Sequence, residues 1–385
     1  MSRIKVVADD KIPFLRGVLE PYAEMSYRPG AAIGPDDVRT ADALIIRTRT
    51  TCNAALLDHS SIRFIATATI GFDHIDRDYC ARRGIVWTSA PGCNSGSVQQ
   101  YLASALLNLA AKRSFTLAGK TLGVIGVGHV GSKVAAAAAA LGMTVLCCDP
   151  PRQRREGDTG FVTAAELLAR ADVVTVHVPL DPDGEPPTRH LIDAEFLRQL
   201  RPGAFVINSS RGEVVATAAL QEALKSGRLG GAVLDVWENE PDIDRELLQL
   251  VDFATPHIAG YSADGKANGT SAGVRALSRF FGLGLDNWQV PDIPAPAAAL
   301  LPPSPGLSGE AEWRRAVNHC YDIADDDRAL RAAPDNFEKL RGNYRFRREF
   351  SAFTATGSPE AATLARLGFQ VEQTTAAGQS SGRMI

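Results

Sequence analysis

The sequence predicts an α/β protein with two doubly wound parallel-sheet domains, one of them a Rossmann domain, followed by a small C-terminal α+β domain. Three observations carry this. Short apolar runs alternate with helical stretches through most of the chain, the rhythm of parallel sheets. One of those runs leads directly into Gly126-Val-Gly128-His129-Val130-Gly131 and then a helix. A proline-rich run near residue 300 separates a last segment with elements of its own.

Composition sets the limits. At about 150 residues per domain, a chain of 385 residues makes two or three domains. Apolar residues are 45% and charged residues 22%, ordinary globular values that exclude a disordered chain, a coiled coil or a collagen-like polymer. A formal charge of −3, from 41 basic and 44 acidic side chains, gives no electrostatic footprint for nucleic acid. No apolar run is long enough for a transmembrane helix. Asp9 and Asp10 stand where a secretory leader would need its apolar core, so the start reads as a first strand and the protein as cytoplasmic. Six cysteines without a CxxC pair read as reduced thiols, and no metal-binding pattern is found.

In order along the chain, Ile4–Ala8, Ala43–Ile46 and Phe64–Ala68 are strands of a first sheet, and the apolar spacing of Ser97–Ala111 predicts a long helix. A second block begins at Lys120. Its strands are Thr121–Ile125, Thr144–Cys148, Val173–Val178, Ala204–Asn208 and Gly231–Val236, with a helix at Val130–Leu141 built on six alanines. A short strand at Asp252–Pro256 and a Gly/Ala-rich helix from Lys266 follow. The expected division is 1–96 with 257–290 as a substrate domain and 97–256 as the nucleotide domain. A Pro-rich linker at 291–309, a third domain at 310–373 and a disordered tail at 374–385 complete it.

The glycine loop has a mechanism. Glycines allow a tight turn and close approach of a pyrophosphate, and the helix start offers free N–H groups. Asp149 lies 18 residues beyond Gly131 at the end of the next strand, placed to accept ribose hydroxyls and to repel the extra phosphate of NADP. Arg152 nearby tempers that preference. The cofactor is therefore expected to be NAD.

Arg211, Asp235, Glu240 and His257 fall at successive strand ends, which gather on one rim of a parallel sheet. Oxidising an alcohol beside a carboxylate needs a cation for the carboxylate, a base for the hydroxyl proton and a carboxylate to orient that base. Arg211, His257 and Glu240 fit those roles.

The stretches VIGVGHVG, NSSRGEVV, LDVWENEP and TPHIAGYS resemble the NAD-dependent D-2-hydroxyacid dehydrogenase family over about residues 1–290. DDKIP, ATATIGFDHID, SAPGCNS, CDPPR and the C-terminal F.KLR.NY..RRE extend the likeness to a narrower branch, to about residue 355. The resemblance implies Arg211, Glu240 and His257 as catalytic trio. It also implies Asp149, Val178, Ser209, Ser210, Asp235 and Gly260 as cofactor contacts, and Thr48, Thr69 and Tyr261 as substrate contacts. The third domain is implied to be a dimerisation domain, giving a homodimer whose substrate is a phosphorylated hydroxy acid. The two main domains are expected to close about hinges near 94–100 and 257–290. The sequence departs from the branch at Lys11, Gln100 and Ser210, where Asn, Glu and Cys are expected.

The substrate phosphate needs cations away from Arg211. Candidates are Arg47 and Arg49 beside Thr48, and Arg345, Arg347 and Arg348, one of which could reach a partner subunit's site. Between Lys339 and Arg348 there are five basic residues and no acid. Two other readings stay open: a family member acting on 3-phosphoglycerate, glycerate or lactate, and an NAD-sensing binding protein without turnover.

Overall fold

Three parallel sheets organise the chain. The computed structural model describes residues 3–157, 159–302 and 304–372, so the expected disordered tail lies outside the described residues. The first sheet holds β1 (Ile4–Asp9), β2 (Ala23–Arg28), β3 (Ala43–Ile46), β4 (Phe64–Thr67) and β5 (Val86–Thr88) in the order β2-β1-β3-β4-β5. β3 and β4 are buried at every residue, as central strands covered on both faces must be. The order reverses between β1 and β3, so the loops after those strands face a crevice.

Helix α1 (Ser95–Arg113) leads to the second sheet. Up to its exposed last turn it is buried nearly all round, with Ser97, Gln100 and Ser104 among the apolar residues that it buries. The second sheet contains β6 (Thr121–Ile125), then α2 (His129–Ala140), β7 (Thr144–Cys148), β8 (Val173–Val176), β9 (Phe205–Asn208), β10 (Gly231–Leu234) and β11 (Phe253–Ala254). The strand order is β11-β10-β9-β8-β6-β7. It reverses between β6 and β8, where the register pairs Leu122 with Val173 and Ile125 with Val176. The glycine loop therefore opens at the switch point. Gly123 is required within β6, because a Cβ there would lie 2.7 Å from the Leu167 side chain.

Helix α3 (Ala263–Phe281) starts three residues before the expected Lys266, because the Ser262 hydroxyl accepts the Gly265 N–H and fixes the cap. The proline-rich run is not all linker. β12 (Leu300–Leu301) pairs in parallel with a strand far along the chain. After it come α4 (Gly309–Cys320), α5 (Ile323–Ala332), α6 (Phe337–Gly342), β13 (Thr354–Thr356), α7 (Ala361–Leu367) and β14 (Gln370–Glu372). These strands form a sheet in the order β12-β13-β14.

The C-terminal segment does not keep a core to itself. Leu301, Ala316, Val317, Tyr321, Phe350, Phe353, Leu364 and Phe369 join one apolar cluster with Leu102, Leu106, Leu109, Val134 and Ala138 of α1 and α2. The segment is thus welded to the back of the nucleotide-binding sheet. Among the described residues, no helix is long and apolar enough to cross a membrane.

Candidate active site

The glycines show why each is needed. Gly126 has φ +83°, and a Cβ on it would lie 2.7 Å from the His177 carbonyl oxygen and 2.8 Å from Val178. Gly131 seats α2 against the loop so tightly that a Cβ would lie 2.0 Å from the Gly126 carbonyl oxygen. Gly128 is different: a Cβ there would meet nothing within 4 Å, so the bare backbone at the start of α2 faces open space. His129 and Val130 begin that helix. This is the cradle a pyrophosphate needs. Asp149 closes it, accepting the Val127 N–H at 2.8 Å and the Arg152 N–H at 2.9 Å. The Arg152 guanidinium turns to the Val127 carbonyl and Glu156.

The turn after β9 is shaped by Asn208, whose side chain donates to the Arg211 carbonyl at 2.8 Å and accepts from the Ser210 N–H and hydroxyl at 3.0 and 2.9 Å. Ser210 is therefore turned inward. The Ser209 hydroxyl is buried and has no partner among the described residues, the condition of a group waiting for a ligand. The residues present fit a dinucleotide.

Arg211 projects from the same turn to the first sheet. Its Nη2 lies 3.2 Å from Asp73, and a Cβ on Gly71 would lie 2.5 Å from that nitrogen. After β11, His257 Nδ1 is 2.7 Å from Glu240 Oε2, while Glu240 Oε1 accepts the Trp237 N–H at 3.0 Å. Burial alone would raise the Glu240 carboxyl, but the hydrogen bond and charge of His257, with Arg341 and the Trp237 N–H, hold it below its ordinary value. His257 itself has φ +58°, a conformation that costs a residue with a Cβ about 1–2 kcal/mol. Such strain persists only where surrounding contacts impose it.

Asp235 supplies some of those contacts. It is buried, and its carboxylate accepts the Ile258 and Ala259 N–H groups at 2.8 and 2.9 Å and the Thr255 hydroxyl at 2.6 Å. Its oxygens thus hold the turn that bears His257. A Cβ on Gly260 would lie 2.2 Å from the Asn94 side-chain nitrogen, so this turn also abuts the start of α1. Val178 is half-buried beside Gly126; Thr69 donates to the Gly71 carbonyl at 3.1 Å; Thr48 is exposed.

The cationic candidates sort sharply. Arg47 pairs with buried Asp9 at 3.0 Å at the switch point of the first sheet, and Arg49 pairs with Glu338 of α6. Arg347 is not available to a phosphate, here or in a partner: it is buried, and all its donors are spent within its own chain. Arg348 is gripped by Asp264 at 3.0 Å on two nitrogens and by the Ile293 and Pro294 carbonyls. Arg345 is exposed.

Two cations that the sequence reading passed over complete the cleft. Lys266 lies 4.0 Å over the Tyr261 ring, and desolvation together with the nearby charges of Arg47 and Arg341 pulls its ammonium below the usual lysine value. Arg341, from α6, sits 3.7 Å from Glu240, and its Nε is buried with no partner among the described residues. Both residues lie inside the stretches that carried the family likeness, Lys266 in GYSADGKANG and Arg341 in FEKLRGNY.

The fold and rim define an NAD-dependent oxidoreductase of the 2-hydroxyacid dehydrogenase type. Residues 97–259 match the NAD-binding domain of the D-isomer specific 2-hydroxyacid dehydrogenases, and residues 293–368 match a domain of unknown function. A solved D-lactate dehydrogenase from Aquifex aeolicus, complexed with NAD and lactic acid, is 28% identical with a TM-score of 0.61, covering 73% of this chain and 97% of its own. Among curated proteins, the erythronate-4-phosphate dehydrogenase of Bacteroides fragilis is 49% identical, with 91% of this chain and 98% of that protein covered. That of Cronobacter sakazakii is 42% identical, with 95% and 98% covered. The chain belongs to the erythronate-4-phosphate dehydrogenase family.

Proposed function

We propose that the protein oxidises 4-phospho-D-erythronate at C2 to 3-hydroxy-2-oxo-4-phosphooxybutanoate, a step in the synthesis of pyridoxal 5′-phosphate. The observation that carries this reading is the His257–Glu240 pair with Arg341 3.7 Å from Glu240, and with the charges of Arg47 and Arg341 both acting on Lys266. A substrate with a carboxylate at one end and a phosphate at the other suits Arg211 on one turn and the group of Arg47, Lys266 and Arg341 on others.

NAD, when bound, accepts the hydride from C2. It would be held by the backbone of Gly126–Gly131, the Asp149 carboxylate at the ribose, Val178, Ser209, Ser210 and Gly260. Arg211 clamps the C1 carboxylate. Because Glu240 is ionised and accepts at Nδ1, the His257 proton resides on Nδ1 and Nε2 is left basic. Nε2 then takes the C2 hydroxyl proton, and Glu240 stabilises the resulting imidazolium. Tyr261, Thr48 and Thr69 contact the substrate, while Arg47, Lys266 and Arg341 read its phosphate. Replacing His257 with Ala should lower kcat on 4-phospho-D-erythronate by about 10²–10⁴-fold. A near-wild-type rate would reject the role.

The chain is further read as a cytoplasmic homodimer. Six free cysteines suit a reducing compartment. Leu300, Leu307, Phe346 and Val371, all in the C-terminal segment, are exposed large apolar residues of the kind an interface covers.

A further inference from the structure

The turn that bears His257 is held on two sides. Its N–H groups point at Asp235, as described. Its carbonyls point the other way, at a guanidinium from the C-terminal segment. Arg347 Nη2 donates to the Ala259 carbonyl at 2.8 Å and Nη1 to the Ile258 carbonyl at 3.3 Å. The remaining donors are also used: Nη2 to the Ser97 carbonyl at 3.4 Å, Nη1 to the Tyr344 hydroxyl at 3.1 Å and Nε to Gln100 Oε1 at 2.9 Å. An arginine has five N–H donors, and this one spends all of them inside the protein.

None of those acceptors is a carboxylate. Burying a guanidinium without a direct counter-ion is costly, so the cost must be offset by geometry. Here the peptide unit joining Ile258 to Ala259 lies between Asp235 on its N–H side and Arg347 on its carbonyl side, so both charges align that one dipole, and the units on either side of it are each held by one of the two. The guanidinium is itself fixed. It stacks on Tyr321 at 4.0 Å, and its backbone carbonyl accepts the Ala263 N–H at 2.8 Å just beyond the turn. Gln100 completes the clamp, accepting from Arg347 and donating to the Arg348 carbonyl at 3.0 Å.

We propose that Arg347 is a positioning residue for the reaction: it holds His257 in its left-handed conformation and so makes the C-terminal segment part of the active site of its own chain. This rests on the reading of His257 as the base. Misplacing a catalytic group by about 1 Å can cost about 10²-fold. A lysine at 347 keeps the charge but cannot serve two adjacent carbonyls and three further acceptors from one planar fork.

The test compares Arg347→Lys, Gln100→Met, Gln100→Glu and His257→Ala in the full chain. Steady-state rates on 4-phospho-D-erythronate are normalised to the sites that bind NADH, counted by fluorescence titration. Arg347→Lys is expected to lower kcat about 30- to 100-fold with KM for the hydroxy acid changed less than threefold. A folded Arg347→Lys with kcat within threefold of wild type, or a loss confined to KM, overturns the proposal. If Arg347→Lys does not fold, the Gln100 pair decides. Gln100→Met should lose kcat about five- to tenfold, and Gln100→Glu, which keeps an acceptor for Nε, should recover it to within twofold; equal rates for the two would overturn the proposal. Loss of activity in His257→Ala with none in Arg347→Lys would defeat the positioning role alone. An active His257→Ala would defeat the underlying reading.

Discussion

Replacing Glu240 with Gln tests how the base is prepared, because the two side chains have the same shape. Glu240 uses its oxygens in opposite directions: Oε1 accepts the Trp237 N–H at 3.0 Å, and Oε2 faces His257 Nδ1 at 2.7 Å. A glutamine has one oxygen. If that oxygen stays on Trp237, the amide NH₂ faces Nδ1 and donates to it. The imidazole proton then moves to Nε2, where a lone pair is needed. If the amide flips, His257 keeps its tautomer but two donors face each other at Trp237. Either way a half-buried donor or the tautomer is sacrificed, at about 1–3 kcal/mol, in addition to about 1 kcal/mol lost when a charge-assisted hydrogen bond becomes neutral. The sum, about 2–4 kcal/mol, predicts a fall in kcat of about 30- to 1,000-fold. The assay is NADH absorbance at saturating NAD and hydroxy acid, beside Glu240→Ala as reference. The isosteric variant is expected to be no better than alanine. A Glu240→Gln enzyme that keeps a third or more of wild-type kcat would refute the reasoning.

Gly131→Ala should abolish dinucleotide binding and destabilise the fold, since the added carbon would lie 2.0 Å from the Gly126 carbonyl oxygen; isothermal titration with NADH and a thermal melt read both effects. Lys266→Met should raise Tm at neutral pH while raising KM for the phosphorylated acid. The sign follows from linkage: a half-buried ammonium whose folded pKa is lowered costs stability at pH values below that folded value, and the cost is relieved as pH rises through it toward the usual lysine value. The Tm gain of the variant should therefore shrink between neutral and strongly alkaline pH, and a gain that grows with pH would contradict the account.

The strands of the second sheet were legible in the sequence because each is a short apolar run bounded by polar or glycine residues; β6 and β7 were located to the residue. β8 was expected to reach Val178 but ends at Val176, where the chain must bend to pass Gly126. β2, Ala-Glu-Met-Ser-Tyr-Arg, was missed for a physical reason: as an edge strand it covers only one face, so it has no apolar run. β12 was hidden in a proline-rich run, and only two of its residues are paired. For the candidate site, residue type at a strand end was enough to find Arg211, Glu240 and His257, because the parallel sheet brings strand ends together. Two of the three arginines offered from the basic C-terminal cluster are spent within the chain. Sequence shows that Arg347 and Arg348 are charged but not that one is spent on backbone carbonyls and the other on Asp264. Lys266 and Arg341 come from helices on different segments, and only the folded chain brings their charges together.

The central claim is the identity of the substrate, and a substrate panel tests it most directly. Purified protein would be given NAD with 4-phosphoerythronate, 3-phosphoglycerate, glycerate or lactate, with and without a 2-oxo acid to reoxidise bound NADH, while nicotinamide absorbance is followed. The account predicts turnover, or a single-turnover burst, with 4-phosphoerythronate and little with the others. Preference for an acid without a phosphate would contradict it, because Arg47, Lys266 and Arg341 would then have no phosphate to read.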